Sequence, residues 1–374
     1  MKVKLGDITK IKTGKLDANA ASDDGEYPFF TCSRDPLKIS SYSYDCECVL
    51  VAGNGDLNVK YYNGKFDAYQ RTYIIEAKLP DVLYMPYLYF FMEKYVVELR
   101  KLAIGGVIKY IKLGNLTDAL IELPSYEQQR TLVERLRKVK CSIDKRNEQL
   151  AKLDELVKCR FVEMFGDPTL NPFNWKIVPL SSIIRGNASN GYFAKREEYC
   201  QLGNVQVLGV ANVVNRMYSS TYNLPRAKAT DKDIKKYHIK YGDMLFCRSS
   251  LVAEGIGKAS IVPPNIPKNT LFECHVIRIS LDLSQCVPEY IQVLSTDFYF
   301  RKQVIAQSKT ATMTTISQDA ILKCCVPLPP LELQKEFLTF THRIDKLRFI
   351  VEDNLSFPSL VGAFCIVEVG DKNE

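Results

Sequence analysis

The sequence has few histidines, no cysteine pair at metal-ligand spacing and no long apolar run. Its three histidines, His238, His275 and His342, lie far apart, and its twelve cysteines form no Cys-x-x-Cys motif. We therefore expect no zinc site and no catalytic histidine pair, and interpret each histidine as structural. No stretch approaches eighteen consecutive apolar residues, and residues 1–7 contain no apolar signal region. These absences predict a cytoplasmic protein without a membrane segment.

The sequence contains partial matches to three catalytic or phosphate-binding motifs, and each lacks a required residue or has its parts in the wrong order. The Asn/Asp-Pro-Pro-aromatic loop of adenine methyltransferases is approached only by Asn171-Pro172-Phe173, which lacks the second proline. The phosphate-binding pattern G-x-x-x-x-G-K-[ST] fails at Gly257-Lys258, where alanine follows, and at Gly14-Lys15, where leucine follows. Near Pro80-Asp81, the Glu-Ala-Lys triplet of a metal-dependent nuclease precedes the aspartate instead of following it. We predict a non-catalytic chain with no metal site.

The chain is long enough for several domains and carries a moderate excess of positive charge. Its 374 residues with 46% hydrophobic content suffice for several domains, each with its own core. Fifty lysines and arginines against 43 acidic residues give a net charge of +7, which favours a polyanionic partner bound through surface patches. Most cysteines lie in apolar runs and are predicted to be reduced core residues.

A repeat organises the chain. The segment Leu-Pro-Ser-Tyr-Glu-Gln-Gln at residues 123–129 recurs 205 positions later as Leu-Pro-Pro-Leu-Glu-Leu-Gln at residues 328–334. Before each copy come short β-type runs separated by glycine, asparagine and proline, and then one helical stretch, over residues 86–102 or 288–306. The repeat predicts two similar α+β domains, residues 1–122 and 166–327.

A heptad-like pattern of apolar residues follows each copy of the motif. The first pattern comprises Leu132, Leu136, Val139, Ile143, Leu150, Leu153, Val157, Phe161 and Met164, and the second comprises Leu333, Phe337, Phe340, Ile344, Leu347 and Val351. The first predicts a spacer helix within residues 123–165, about 60 Å long at 1.5 Å per residue. The second predicts a shorter spacer helix within residues 328–357, followed by a divergent tail at 358–374.

The two helices are predicted to pair antiparallel as a coiled coil that separates the two domains about a pseudo-two-fold axis. The alternative is that each helix docks only on its own domain. Because the second helix is shorter, we expect it to leave residues 150–164 of the first helix without a partner in the chain.

Several segments, in their order, resemble the specificity subunits of type I restriction-modification enzymes. They are residues 123–129, 165–168 (Phe-Gly-Asp-Pro), 171–175 (Asn-Pro-Phe-Asn-Trp) and 326–332, together with Gly-Lys-Phe-Asp-Ala-Tyr-Gln-Arg-Thr-Tyr at 64–73. The resemblance covers residues 1 to about 355. It ends where Ser356-Phe357-Pro358 interrupts the second helix, which that family usually continues.

This resemblance implies a function. Each domain would be a target-recognition domain that contacts one half of a bipartite double-stranded DNA target, while the helices set the spacing and hold two methyltransferase (M) subunits. Restriction (R) subunits would join to translocate and cleave DNA. No cofactor would bind this chain, because S-adenosylmethionine, ATP and Mg²⁺ would be bound by the partner subunits.

Basic and hydrogen-bonding residues in polar or glycine-flanked segments are the candidate DNA contacts. Arginine and asparagine can make bidentate contacts to guanine and adenine, whereas lysines and hydroxyl groups mostly bind phosphates. In the first domain the candidates are Arg34, Lys38, Asn54, Lys60, Arg71, Lys109 and Tyr110; in the second they are Asn190, Tyr192, Lys195, Arg196, Arg248, Ser249, Ser250, Lys309, Thr310, Thr312 and Thr314.

Two other functions fit parts of the pattern. A coiled-coil adaptor that joins protein partners without binding DNA would share the repeat and the long helices. The recognition portion of a self-sufficient restriction enzyme would also share them, but would need a catalytic segment that these residues lack. The arginine, lysine, asparagine and threonine residues in glycine-rich loops favour DNA recognition.

Overall fold

The computed structural model describes residues 1–310 and 313–353, and these residues form two compact units. Unit 1 comprises residues 1–147 together with Asp353, and unit 2 comprises residues 148–352. Both units contain helices and strands, as the sequence predicts. The predicted tail at 358–374 and the helix break at 356–358 lie outside the described residues.

Unit 1 is built on a six-stranded sheet and a separate two-stranded sheet, β1-β8. The strands of the unit are β1 (Lys2–Lys4), β2 (Thr9–Thr13), β3 (Tyr27–Phe30), β4 (Leu37–Ile39), β5 (Tyr44–Ala52), β6 (Val59–Ala68), β7 (Thr72–Ala77) and β8 (Leu120–Glu122). The large sheet has the order β2-β7-β5-β6-β3-β4, and only β3 and β6 pair parallel. Strand β5 alternates, with Val49 and Val51 in one core and Cys48 and Leu50 in another. Both faces of the sheet are therefore covered.

The helices of unit 1 pack on the face that carries Val49 and Val51. They are α1 (Leu5–Ile8), α2 (Met85–Leu102), α3 (Leu113–Thr117) and the first part of α4 (Tyr126–Phe165). Helix α2 has a proline in its first turn, where a missing amide hydrogen costs nothing, and it ends with basic residues that favour the negative helix terminus. Val133 and Leu136 of α4 are buried in the same core. This part of α4 thus packs on the core of unit 1.

Helix α4 has 40 residues and ends at the predicted stop signal. Gly166 follows it with a φ of 76°, in the left-handed region that favours glycine at helix C-termini. A Cβ atom there would lie 2.4 Å from the ring of Pro172. Gly166 is therefore required both by backbone conformation and by close packing.

Unit 2 contains four small sheets instead of one large sheet. Its strands are β9 (Lys176–Pro179), β10 (Ser189–Asn190), β11 (Val205–Leu208), β12 (Arg226–Ala227), β13 (Asp243–Cys247), β14 (Ser249–Ser250), β15 (Ala259–Ile261), β16 (Thr270–Phe272), β17 (Val276–Ser280), β18 (Lys309–Thr310), β19 (Thr314–Thr315) and β20 (Cys325–Leu328). The orders are β10-β17-β13-β15, β12-β11-β16, β14-β19-β18 and β20-β9. The β20-β9 pair corresponds to the antiparallel β1-β8 pair of unit 1.

The helices of unit 2 are α5 (Val210–Val213), α6 (Asp231–Tyr237), α7 (Pro288–Thr296), α8 (Phe298–Gln307), α9 (Gln318–Lys323) and α10 (Leu331–Asp353). The single helical stretch predicted over residues 288–306 is wrong, because Asp297 divides it. Asp297 has an extended backbone, and its carboxylate accepts a hydrogen bond from the Tyr299 amide at 2.7 Å, which caps α8.

Within unit 2, residues 148–165 of α4 pack antiparallel against α10. The rings of Phe161 and Phe337 lie 5.6 Å apart, and an ion pair joins Asp154 to Arg348. Val157 and Phe165 share the core that Phe337 occupies. The expectation that residues 150–164 would lack a partner in the chain is therefore wrong, because antiparallel pairing brings α10 alongside the C-terminal end of α4.

Candidate nucleic-acid interface

The repeated motif fixes the start of a helix in unit 1. Gln129 is fully buried, and its amide nitrogen donates to the carbonyl oxygens of Val82 and Pro124, both at 2.9 Å. Its amide oxygen accepts from the backbone nitrogen of Tyr84, the residue before α2, at 2.8 Å. One buried side chain thus satisfies three backbone groups, including one at the start of α2.

Gln334, 205 positions later, does the same in unit 2. Its amide nitrogen donates to Pro329 at 2.8 Å, and its amide oxygen accepts from the backbone nitrogen of Val287 at 2.9 Å. Val287 is the residue before α7. The motif therefore has a structural role, which is to position the helix that leads towards a surface hairpin.

In unit 1 that hairpin spans residues 104–110 and is called hairpin 1. Ile104 and Tyr110 exchange backbone hydrogen bonds of 3.0 and 2.8 Å. Hairpin 1 is held against residues 53–58, called loop 1, which join β5 to β6. The Gly55 amide donates to Lys109 at 2.9 Å, and the Ile111 amide donates to Gly53 at 2.9 Å.

Unit 2 contains the equivalent pair. Hairpin 2 comprises residues 309–315, of which 311 and 312 are not described, and Lys309 pairs with Thr315 as Ile104 pairs with Tyr110. Loop 2 comprises residues 248–252, and its Ser249 pairs with Thr315. The amide of residue 316 donates to Arg248 at 3.1 Å, which matches the bond from residue 111 to residue 53. The sequence repeat thus extends to the backbone hydrogen bonds of this hairpin.

Six of the seven candidates in unit 1 gather at loop 1 and hairpin 1. Asn54 lies in loop 1, and Lys109 and Tyr110 lie in hairpin 1. The remaining three contact loop 1: Arg34 pairs with Asp56 at 3.3 Å, the Arg71 carbonyl accepts from Gly53 at 2.8 Å, and Lys60 donates to Asn58. The seventh, Lys38, lies on the outer strand β4, and no described contact joins it to loop 1.

The charges at loop 1 are partly neutralised. Asp56 pairs with Arg34 and also with Arg100 at 3.4 Å, and Arg100 donates to the Leu57 carbonyl at 2.9 Å. Arg100 escaped the sequence analysis because it lies at the end of α2 and not in a loop. Burial lowers the pKa of Lys60, so this amine is better placed to hold loop 1 than to meet a phosphate.

Six candidates of unit 2 lie in loop 2 and hairpin 2: Arg248, Ser249, Ser250, Lys309, Thr310 and Thr314. The hydroxyl groups of Thr310 and Thr314 are 3.0 Å apart across hairpin 2. Thr312, a further candidate, lies outside the described residues. His275, which the sequence analysis interpreted as structural, is exposed, and its Nδ1 lies 3.3 Å from the Ser249 hydroxyl. No local sequence signal identified it, because β17 comes beside loop 2 only in the folded sheet.

The other four candidates of unit 2 lie in residues 190–196. Asn190 belongs to β10, and Arg196 begins a short 3₁₀ helix. The Lys195 side chain is exposed. Tyr192 belongs to the core, where its hydroxyl donates to the Lys228 carbonyl at 2.8 Å and burial raises its pKa. Tyr192 therefore supports this segment from inside the unit.

Unit 2 also has an open groove of about 600 Å³ between α4 and α10. Its lining mixes apolar and charged side chains: Leu156, Cys159, Arg160, Glu163, Glu336, Thr339, Phe340 and Arg343. Within residues 1–310 and 313–353, no group of three or more histidine, cysteine or acidic residues is arranged to hold a metal ion. In the same part of the chain, no helix is both long and apolar enough to cross a membrane.

Comparisons with known proteins support the resemblance. Residues 1–155 match the family described as Type I restriction modification DNA specificity domain. The type I restriction enzyme EcoDI specificity subunit of Escherichia coli is 39% identical over 156 residues, 42% of this chain and 34% of that protein. The EcoBI specificity subunit of the same organism is 20% identical over 326 residues, 80% of this chain and 66% of that protein. The chain thus spans about a third and about two thirds of the lengths of these relatives.

One solved structure shows a similar fold. The S subunit of a type I restriction-modification system from M. genitalium superposes with a TM-score of 0.55 at 14% identity, covering 99% of this chain and 94% of that one. The predicted resemblance to type I specificity subunits is confirmed.

Proposed function

Since residues 1–155 match the family of type I restriction modification DNA specificity domains, we propose that the chain is the non-catalytic, sequence-specific DNA-recognition subunit of a type I restriction-modification complex. Units 1 and 2 each read one half of a bipartite double-stranded target. The observation that carries this proposal is the hairpin and loop that recur, with matching backbone hydrogen bonds, in both units.

The geometry of each pair suits DNA. The major groove is about 12 Å wide and admits a two-stranded β-ribbon, and each hairpin is a minimal one, closed by the Ile104–Tyr110 bridge in unit 1 and by two residue pairs in unit 2. Hydrogen bonds to the adjoining loop hold the ribbon in place, so little conformational entropy is lost on binding. Asn54, Arg248 and Ser249 beside the ribbons supply donors and acceptors for base edges, and Lys109 supplies a cation for a phosphate.

A salt series of DNA binding tests this proposal. The full-length chain should bind random duplex DNA with an affinity that falls steeply with salt, because each neutralised phosphate releases counterions. Lys109→Gln should lower the logarithmic slope by about one. Lys10→Gln, an exposed lysine on β2, is the matched control and should leave the slope unchanged. An affinity independent of salt would instead support the coiled-coil adaptor.

The partners follow from the resemblance. We propose that the chain assembles in the cytoplasm with two methyltransferase subunits and with restriction subunits, and that α4 and α10 serve as spacer and attachment site. The groove of unit 2 supports this role, because it exposes apolar Leu156 among charges of both signs. Cys159→Glu in the groove should abolish co-purification with the methyltransferase subunit while leaving DNA binding intact. Cys141→Glu, at an exposed position of α4 outside the groove, should not. Equal co-purification of both variants would contradict the assignment of the groove.

A further inference from the structure

Each hairpin-and-loop pair exposes two adjacent apolar side chains. In unit 1 they lie in hairpin 1, where Val107 is 103% exposed and Ile108 is 62% exposed. In unit 2 they lie in loop 2, where Leu251 is 83% exposed and Val252 is 60% exposed. Single exposed apolar residues are normal on protein surfaces, whereas each unit carries two adjacent ones here, in hairpin 1 and in the loop that pairs with hairpin 2.

The backbone holds both pairs in position. Hairpin 1 is closed by the bonds between Ile104 and Tyr110 and is bonded to loop 1 through Lys109. In loop 2 the Val252 amide donates to the Ser250 hydroxyl at 3.2 Å, and the Gly255 amide donates to the Val252 carbonyl at 3.1 Å. These contacts keep the apolar pairs at the surface and out of the core.

The surroundings favour DNA as the occupant. Lys109 follows the first pair directly, and Asn54 forms a backbone bridge with the same hairpin. Arg248 and Ser249 precede the second pair in the same loop. Valine, isoleucine and leucine side chains cannot hydrogen-bond, and the apolar group that base pairs offer in the major groove is the C5-methyl of thymine.

We propose that Val107–Ile108 and Leu251–Val252 each contact a thymine methyl group, one in each half of the target. This inference rests on the proposed DNA-recognition function and adds a specificity element to it. The two units reach the same kind of contact from different elements, the hairpin in unit 1 and the loop in unit 2.

Replacing thymine by deoxyuridine tests the proposal, because it removes only the methyl group. Duplexes bound by the full-length chain are first selected from a random library, and the consensus duplex is synthesised with each thymine replaced in turn. We expect one replacement in each half-site to weaken binding about fourfold, the value of one buried methyl-sized group. The double variant Val107→Ser/Ile108→Ser should lose this discrimination in one half-site, and Leu251→Ser/Val252→Ser should lose it in the other.

Leu79→Ser and Leu170→Ser are matched controls, since these leucines are exposed at other sites of units 1 and 2. Both should keep the full discrimination, and unfolding midpoints should verify that all variants fold. Sequence-specific binding without a methyl effect in either half-site, or half-sites without thymine, would overturn this inference and leave the proposed function standing. Variants that keep the methyl effect but lose association with partner subunits would overturn it in favour of protein docking. Failure to enrich any sequence would contradict the proposed function itself.

Discussion

Hairpin 1 and hairpin 2 share the backbone pair that closes them but differ in where their unit exposes two adjacent apolar side chains. The apolar pair of unit 1 lies in the hairpin and polar Asn54 lies in the loop, whereas in unit 2 threonines lie in the hairpin and the apolar pair lies in the loop. The backbone hydrogen bonds do not depend on these side chains. The two units therefore present different side chains on the same kind of backbone arrangement.

The cores beneath the hairpins differ in a similar way. In unit 1, α4 contributes aliphatic Val133 and Leu136, whereas in unit 2 it contributes aromatic Phe161 and Phe165, which pack on Phe337. The two cores share no residue. Destabilising one core should therefore leave the other core unaffected.

Phe337→Ala should lower the free energy of unfolding of unit 2 by about 3–5 kcal/mol, because it leaves a cavity among three aromatic rings. Hydrogen exchange should then accelerate in unit 2 and not in unit 1. Phe349→Ala on the same helix is the control and should cost no more than about 0.5 kcal/mol, since Phe349 is exposed. Faster exchange in both units would show that the cores are coupled.

The two buried glutamines should behave as equivalents. Gln129→Leu and Gln334→Leu should each cost roughly 1–3 kcal/mol or more, because buried backbone groups at the start of α2 or α7 lose their hydrogen bonds. Urea unfolding measures the loss, and hydrogen exchange should localise it to the mutated unit. Gln149→Leu, on an exposed position of α4, should have little effect. If only one of the two substitutions markedly lowered the free energy of unfolding, the motif would have different structural roles in the two units.

The smallest effect concerns Lys78 and Asp282, which follow strands β7 and β17 and donate backbone hydrogen bonds to the carbonyl oxygens of residues 8 and 183. In unit 1 the Lys78 amine donates to the carbonyl oxygens of Gly6 and Asp7 at 2.8 and 3.1 Å. In unit 2 Asp282 accepts hydrogen bonds from Gln285, from Ser284 and from Arg185, which hold the pKa of its carboxyl well below the usual range.

A lowered folded-state pKa stabilises the fold above the unfolded pKa of about 3.9, and this stabilisation fades as the pH falls towards the folded value. The difference in urea midpoint between the wild type and Asp282→Asn should therefore be largest near neutrality and shrink below about pH 4. Lys78→Gln should show no such change in acid, because it leaves Asp282 and its hydrogen bonds intact. A difference for Asp282→Asn that is constant from pH 7 to pH 2 would contradict the role of its charge.

Local sequence signals predicted the parts of the fold that local chemistry determines. Helix α4 follows from its apolar periodicity and its end from Gly166, and the repeated motif marks equivalent glutamines. Tertiary contacts decided the rest. The sequence analysis predicted antiparallel pairing, but apolar periodicity does not encode the register, and the register places α10 beside the C-terminal end of α4.

In the candidate site, too, some residues were identified from local sequence, whereas others are placed there only by tertiary contacts. Loop residues such as Asn54 and Arg248 were found because polar residues beside glycine or at strand ends indicate surface loops. Arg100 and His275 were missed because a helix and a strand bring them to the loops only after folding. Tyr192 was included although it is buried, since its polar neighbours in sequence conceal its packing against Tyr237.

The most direct test of separate reading by the two units is selection of bound duplexes from a random library with Asn54→Ala and, separately, with Arg248→Ala. Each variant should relax base preference in one half-site only, and a lost base-specific contact should cost roughly 1–3 kcal/mol there. The half-site relaxed by Asn54→Ala should be the one that Arg248→Ala leaves intact. Relaxation of both half-sites together in either variant would contradict this account.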